Sequence, residues 1–320
     1  MAETIGHTPV LLEESLELLA PQPGATIVDA TVGRGGHTLA LLQQVGKGGR
    51  VVGFDLDADN LAFASRRVEQ ADGQFVPIHA SFVRVAEELR SRGIVADGLL
   101  ADLGVASVHL DEADRGFSFT HDGPLDMRLD RSGGTTAADL LARISERELA
   151  NLIYSFGEDP FARKIARKLI HAREVRPIVT TAQLAQLVSE AYGSRARESR
   201  LHPATRTFMA LRIAVNDELS ALDALLDSIR RQIEAPDEAR WLSAGARVAI
   251  ISFHSLEDRQ VKRGFAAMAA SGTVERLTKK PCVASDTETR QNPRARSAKL
   301  RAIEFRASRR DDPSSENDRT

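Results

Sequence analysis

Two periodicities alternate along the first hundred residues. Short apolar runs ending in acidic or small residues read as buried strands at Thr26–Ala30, Arg50–Asp55, Phe75–Ala80 and Ala96–Leu103. Between them, apolar residues recur every three or four positions near Gly36–Val45, Ala58–Gln70 and Phe82–Ser91, the spacing of helices. This alternation predicts a parallel sheet wrapped by helices. An amphipathic helix over Leu11–Ala20 precedes it and stops at the Pro21-Gln22-Pro23-Gly24 breaker.

After Leu103 the pattern changes. Gly-rich, charged loop sequence runs to Gly134, followed by helical patterns near Thr136–Arg143, Glu146–Ser155, Phe161–Val175, Thr181–Tyr192 and from Pro203 onward, with no convincing strand among them. Strand character returns at Arg247–Phe253 and again near Thr273–Thr278 and Lys299–Ala307. The first segment holds too few strands to complete a doubly wound sheet, so the expected architecture is an α/β domain interrupted by a helical insertion. The expected boundaries are 1–110 and 214–310 for the α/β domain and 111–213 for the insertion, with a polar, disordered tail at 311–320.

Composition adds partners and exclusions. A chain of 320 residues is long enough for a substantial core, and its single cysteine, Cys282, rules out an internal disulfide or a cysteine-rich zinc site, as expected in a reducing compartment. Met1–Pro9 lacks a basic start leading into an apolar run, and no uncharged stretch is long enough to span a bilayer, so a cytoplasmic protein without membrane partners is expected. The net charge of −2 hides an uneven distribution. From Pro160 to Arg212 eleven Lys/Arg face three acids, and the same ratio recurs from Arg276 to Arg310. Either stretch alone reads as a solvated face; together they predict a nucleic-acid footprint.

The first candidate site lies between the first strand and its helix, in Asp29-Ala-Thr-Val-Gly33-Arg-Gly35-Gly36-His37. Glycines let the backbone turn sharply and approach a ligand, and the helix N-terminus beyond offers N–H groups. A tight strand-to-helix turn needs similar residues, so the loop alone is a weak signal. Asp55, closing the second strand, strengthens it, because a carboxylate there can accept hydrogen bonds from both ribose hydroxyls of a nucleoside. NAD and S-adenosylmethionine share that moiety; the absence of the third glycine of Gly-x-Gly-x-x-Gly tilts the reading away from a dinucleotide. Asp102, at the carboxyl end of the fourth strand, is where an open parallel sheet presents groups to its ligand crevice.

Several blocks together resemble the bacterial ribosomal RNA small subunit methyltransferase H family. They are His7-Thr8-Pro9-Val10-Leu11-Leu12, Gly33-Arg34-Gly35-Gly36-His37-Thr38, Asp102-Leu103-Gly104-Val105-Ala106-Ser107, Leu110-Asp111 through Arg115-Gly116-Phe117-Ser118-Phe119, Ala210-Leu211-Arg212-Ile213-Ala214-Val215-Asn216, Ser252-Phe253-His254-Ser255-Leu256-Glu257-Asp258-Arg259 and Asn292-Pro293-Arg294. The resemblance implies a Rossmann-like class I methyltransferase sheet whose helical insertion recognises RNA. It also implies methyl transfer from S-adenosylmethionine to the exocyclic N4 of a cytidine in the decoding region of 16S ribosomal RNA, within the small ribosomal subunit. The cofactor contacts it implies are Gly35, Gly36, His37, Asp55, Phe82, Asp102 and His109; at the last, this chain has Val108-His109 where the family commonly has Pro-Gln.

Such a reaction requires no metal, because a sulfonium methyl is already electrophilic and the protein's task is alignment. Asp102 is the expected catalytic group, accepting an N–H of the cytosine amine. Amino-methyltransferases often carry Asp/Asn-Pro-Pro-aromatic at this place, whereas Asp102-Leu103-Gly104-Val105 has no aromatic residue, so the base must be held differently. Phe117 and Phe119 are candidates for an aromatic face, although ordinary loop packing is the slightly better account of them, and His254 and Asn216 are candidates for the pocket border, although a capped strand end and a helix surface explain them adequately.

Overall fold

The computed structural model describes residues 9–197 and 202–306. His7, Thr8 and the tail at 311–320 lie outside the described residues. The chain forms two compact units, Met1–Gly104 with Ala221–Thr320, and Val105–Ser220.

In the first unit α1 (Leu12–Leu19) leads into β1 (Thr26–Asp29), α2 (Gly36–Val45), β2 (Arg50–Asp55), α3 (Ala58–Arg67), β3 (Gln74–His79), α4 (Val85–Ser91) and β4 (Ala96–Asp102). The second unit then intervenes with α5 (Ser107–Asp111), α6 (Ala137–Arg143), α7 (Glu146–Gly157), α8 (Ala162–Val175), α9 (Thr181–Tyr192) and α10 (Ala204–Asn216). Helix α11 (Glu218–Arg230) returns the chain to β5 (Leu242–Ser252), α12 (Ser255–Ala269), β6 (Val274–Arg276), α13 (Asp286–Gln291) and β7 (Lys299–Phe305).

The seven strands are ordered β3-β2-β1-β4-β5-β7-β6, parallel from β3 through β5, with β7 antiparallel to both its neighbours. Successive residues on the central strands enter opposite cores, as the pleat demands. Val28, Val52, Phe54, Leu99 and Ile250 pack into one cluster with Leu89, Leu226 and Phe265. Ile27, Val51, Leu100, Ala249 and Ile251 pack into another with Leu11, Leu41 and Leu42. Trp241 is fully buried at the mouth of β5, its backbone N–H donating to Gln232 Oε1 at 2.9 Å.

Strand order reverses beside β1, so Asp29 and Asp102 end adjacent strands at the topological switch point where an open α/β sheet binds its ligands. Several segments differ from the sequence expectation, among them α5, inside the stretch read as loop, and α13, which has no counterpart in it. Phe82 opens a separate 3₁₀ turn, Phe82–Arg84, ahead of α4. Helix α3 stops at Arg67 instead of Gln70. Strand β5 begins at Leu242, five residues before Arg247, because a register shift between Ala96 and Gly98 lets the polar Ser243–Gly245 stretch join the sheet.

The second unit is helical, with its own core of Phe117, Leu125, Met127, Leu149, Ile153, Ile165, Leu169, Leu184 and Phe208 among others. Capping boxes start α6 (Thr136 with Asp139), α7 (Ser145 with Glu148) and α9 (Thr180 with Gln183). Helices α7 and α10 approach closely at Gly157, where a Cβ would stand 2.7 Å from the Arg206 carbonyl oxygen. No helix among the described residues is long and apolar enough to cross a membrane.

Candidate functional site

Three strand ends deliver carboxylates to the carboxyl edge of the sheet. Asp55, at the end of β2, turns toward the loop after β1: its Oδ2 accepts from the Gly33 N–H at 2.7 Å and its Oδ1 from the Asp57 N–H at 2.8 Å. The carboxylate is thereby oriented by two backbone donors before any ligand arrives. Gly33 has φ +51° and a Cβ there would meet nothing within 4 Å, so this turn is open and is not plugged by side chains.

The other loop glycines have close packing neighbours. Gly35 sits at φ +74° as the N-cap of α2, with Ala64 Cβ 2.9 Å from where its own Cβ would stand, and Gly36 lies against the Pro9 ring at 2.4 Å by the same measure. Their small size lets the backbone enter α2 tightly against α3 and the N-terminal segment. Sequence reasoning named Gly35 and Gly36 as contacts and passed over Gly33, whose open side is visible only in the fold.

Asp29 and Asp102 form the inner wall. Asp29 is buried, with Oδ2 accepting from Thr38 Oγ1 at 2.6 Å and Oδ1 from the Thr31 N–H at 3.2 Å. Burial pushes its pKa up to about 6 against those hydrogen bonds, and the nearby Asp55 charge adds to the rise. The Asp102 N–H donates to Thr31 Oγ1 at 2.6 Å, which ties the end of β4 to the loop after β1. Its Oδ1 is buried and has no hydrogen-bond partner among the described residues, while Oδ2 lies 3.8 Å from His37 Nδ1. Desolvation, then the charges of Asp29 and Glu257, raise the Asp102 pKa to about 7, opposed by the Gly104 N–H. A carboxyl poised near neutrality at a switch point is a candidate for accepting a proton.

His37 is 6% exposed, and its Nε2 donates to the Val10 carbonyl at 3.1 Å, which leaves Nδ1 as the atom facing Asp102. Phe82 follows β3, whose His79 is in register with Asp55, and is half-buried against the core. The structure therefore brings Gly33, His37, Asp55, Phe82 and Asp102 to one edge of the first unit. His109 belongs to the second unit, where it is buried and its ring stacks on Phe117 with centroids 5.3 Å apart.

The remaining sequence candidates have structural partners. Phe117 is 6% exposed, and Phe119 packs on His202 and Phe208 at 4.5 and 4.9 Å, so both belong to the core of the second unit. Asn216 clamps a loop, donating to the Met127 and Arg212 carbonyls and accepting from the Leu129 N–H. His254 is the N-cap of α12, accepting from the Glu257 N–H.

A sheet of this order with an acidic cluster at its switch point is the Rossmann-like architecture of the S-adenosylmethionine-dependent methyltransferases. The residues fit that cofactor: an open glycine turn and an oriented carboxylate suit an adenosine and its ribose, and the partnerless Asp102 oxygen suits a polar or cationic group beside it. The chain belongs to the MraW methylase family, which it matches over residues 4–306.

It is 48% identical over 318 residues to the ribosomal RNA small subunit methyltransferase H of Trichlorobacter lovleyi, an alignment covering 94% of this chain and 99% of that protein. It is 46% identical over 320 residues to the protein of the same name from Anaeromyxobacter sp. strain K, covering 95% and 99%. Among solved structures, an rRNA methylase from Streptococcus thermophilus aligns over 94% of this chain and 99% of its own at 12% identity, with a TM-score of 0.41.

Proposed function

We propose that this methyltransferase transfers the methyl group of S-adenosylmethionine to the exocyclic N4 of a cytidine in the decoding region of 16S ribosomal RNA, with Asp102 as the catalytic acceptor. The observation that carries this reading is the Asp102 carboxyl: half-buried, with its buried Oδ1 lacking a hydrogen-bond partner among the described residues, and held at a strand end beside the Gly33–Asp55 pair. The relatives' names supply the small-subunit RNA. Gly33, Gly35, Gly36, His37, Asp55 and Phe82 hold the cofactor, and His109 is the remaining contact that the family resemblance implies.

When bound, the cofactor supplies an electrophilic methyl on a positively charged sulfur. The cytosine amine is a poor nucleophile, because its lone pair is delocalised into the ring. Asp102 accepts one of its N–H groups, which favours a pyramidal nitrogen, and takes the proton that the nitrogen must lose once it has gained a fourth bond. A carboxyl titrating near 7 can do both at neutral pH.

The RNA footprint falls on basic residues that the fold does not commit elsewhere. Lys168 pairs with Glu190 at 2.7 Å, Arg206 binds the Glu158 carbonyl, Arg173 binds the Leu141 and Ile144 carbonyls, and Lys299 and Arg301 pair with Asp258. Arg163 and Lys164 on α8, with Lys279 and Lys280 in the first unit, are exposed and suit phosphate binding. The site of action is the cytoplasm, where the ribosomal substrate resides.

The deciding experiment is mass spectrometry of 16S ribosomal RNA nucleosides from cells with and without the gene. Loss of N4-methylated cytidine, restored by the wild-type protein and not by Asp102→Asn, is expected; an unchanged nucleoside profile would overturn the reading.

A further inference from the structure

The segment Ser252–Arg259 contributes the turn from β5 into α12, yet nothing in the reaction described so far uses it. Its position is set by the sheet. Asp102 of β4 is in register with Ile251 of β5, and the Leu103 N–H donates to the Ile251 carbonyl at 3.0 Å. Two residues further on, Gly104 and Phe253 meet: a Cβ on Gly104 would stand 2.8 Å from Phe253 Cε2, 3.0 Å from Cδ2 and 3.3 Å from Cζ. The ring thus lies directly on the main chain that leaves Asp102, where a Cβ would press against it. Phe253 is held in turn by Glu257, whose Oε2 accepts from the Phe253 N–H at 2.8 Å and from the His254 N–H at 3.3 Å. Glu257 is 2% exposed, and its Oε1 lies 3.2 Å from His254 Nε2.

We propose that Phe253 and Glu257 are positioning residues for Asp102: the ring clamps the Asp102–Gly104 main chain, and the buried carboxylate fixes the ring's backbone while placing a negative charge near the reacting acid. The proposal rests on Asp102 being the acceptor. It explains how a strand end with no Pro-Pro-aromatic segment is kept rigid: the aromatic residue arrives from the neighbouring strand instead of from the same one. A loose strand end would be costly, since misplacing a reacting group by about 1 Å can lower a rate by about 10²-fold.

The charged groups that face Asp102 are Asp29 from β1, His37 from α2 and Glu257 from α12, with the Gly104 N–H on its own segment. Of these, Asp29 and Glu257 raise the Asp102 pKa. Glu257→Gln keeps an acceptor for the Phe253 N–H and removes only the charge, so Asp102 should titrate at lower pH. This is read directly in the free protein by NMR of carbon-labelled aspartate carboxyls, assigned with Asp102→Asn, and again in the acid limb of kcat/KM.

The clamp is tested by a double-mutant cycle. Gly104→Ala should lower kcat by about 10-fold or more by pushing the ring away, with cofactor affinity by calorimetry little changed; adding Phe253→Leu, which removes the ring that the new methyl meets, should restore part of the loss. Circular dichroism of each variant separates misfolding from misplacement. An Asp102 resonance that titrates identically in wild type and Glu257→Gln, or losses from Gly104→Ala and Phe253→Leu that simply add, would overturn the proposal. Near-normal turnover of Asp102→Asn in the wild-type background would instead overturn the role of Asp102 itself, an outcome the NMR titration does not depend on.

Discussion

Asp102 and Asp55 are both strand-end carboxylates, yet their surroundings assign them opposite tasks. Two backbone N–H groups grip Asp55, so its carboxylate is fixed in place, as the ribose-binding role proposed for it requires. Asp55→Asn should weaken cofactor binding about 10- to 100-fold by calorimetry, the usual worth of a hydrogen bond to a charged group, while folding is retained. Asp102 has a buried oxygen without a partner among the described residues and a pKa of about 7. As an acceptor it works only when ionised, so kcat/KM should fall as pH drops below about 7, and Asp102→Asn should abolish both that limb and about 10² or more of the rate. Both residues were legible in the sequence because strand ends and spacing mark them. The open side of Gly33, the Thr31 bond that ties β4 to the first loop, and the Asp29 shift were not legible, because each depends on neighbours distant in sequence.

Elements were more legible than their joints. Helices α6 to α10 each carry an apolar stripe, and three of them begin with a capping box that local sequence already announces. The start of β5 escaped because Ser243, Gly245 and Arg247 interrupt its apolar run and a register shift absorbs the irregularity. How closely α7 approaches α10 could not be read either, since Gly157 looks like an ordinary helix C-terminus until the Arg206 carbonyl is seen beside it. Gly157→Ala should therefore destabilise the protein by about 1–3 kcal/mol in chemical denaturation, the usual cost of overpacking. Ser145→Ala, which removes the α7 cap on an exposed turn, should cost about 1 kcal/mol.

For the molecule as a whole, the net charge of −2 gives no hint of the RNA partner proposed for it. Both basic stretches are real in sequence, but the fold draws many of their cations into internal pairs, so a count of Lys and Arg overstates the footprint. Arg163→Glu with Lys164→Glu should weaken RNA binding and flatten its dependence on salt by about 0.7–0.9 in log–log slope for each phosphate no longer neutralised, whereas Arg173→Ala should act through stability. The boundaries between the units differ in how plainly they show: Gly104/Val105 falls where the strand–helix alternation stops, whereas Ser220/Ala221 falls inside α11, where the helical pattern runs on without a break.

One residue buried in the first unit makes the division measurable. Trp241 is the sole tryptophan, and both tyrosines, Tyr154 and Tyr192, lie in the second unit. Nature has in effect dyed the two halves with different intrinsic chromophores. Indole emission follows the melting of the sheet and phenol absorbance that of the helices, so a single unlabelled sample reveals whether they come apart in one cooperative event or in two.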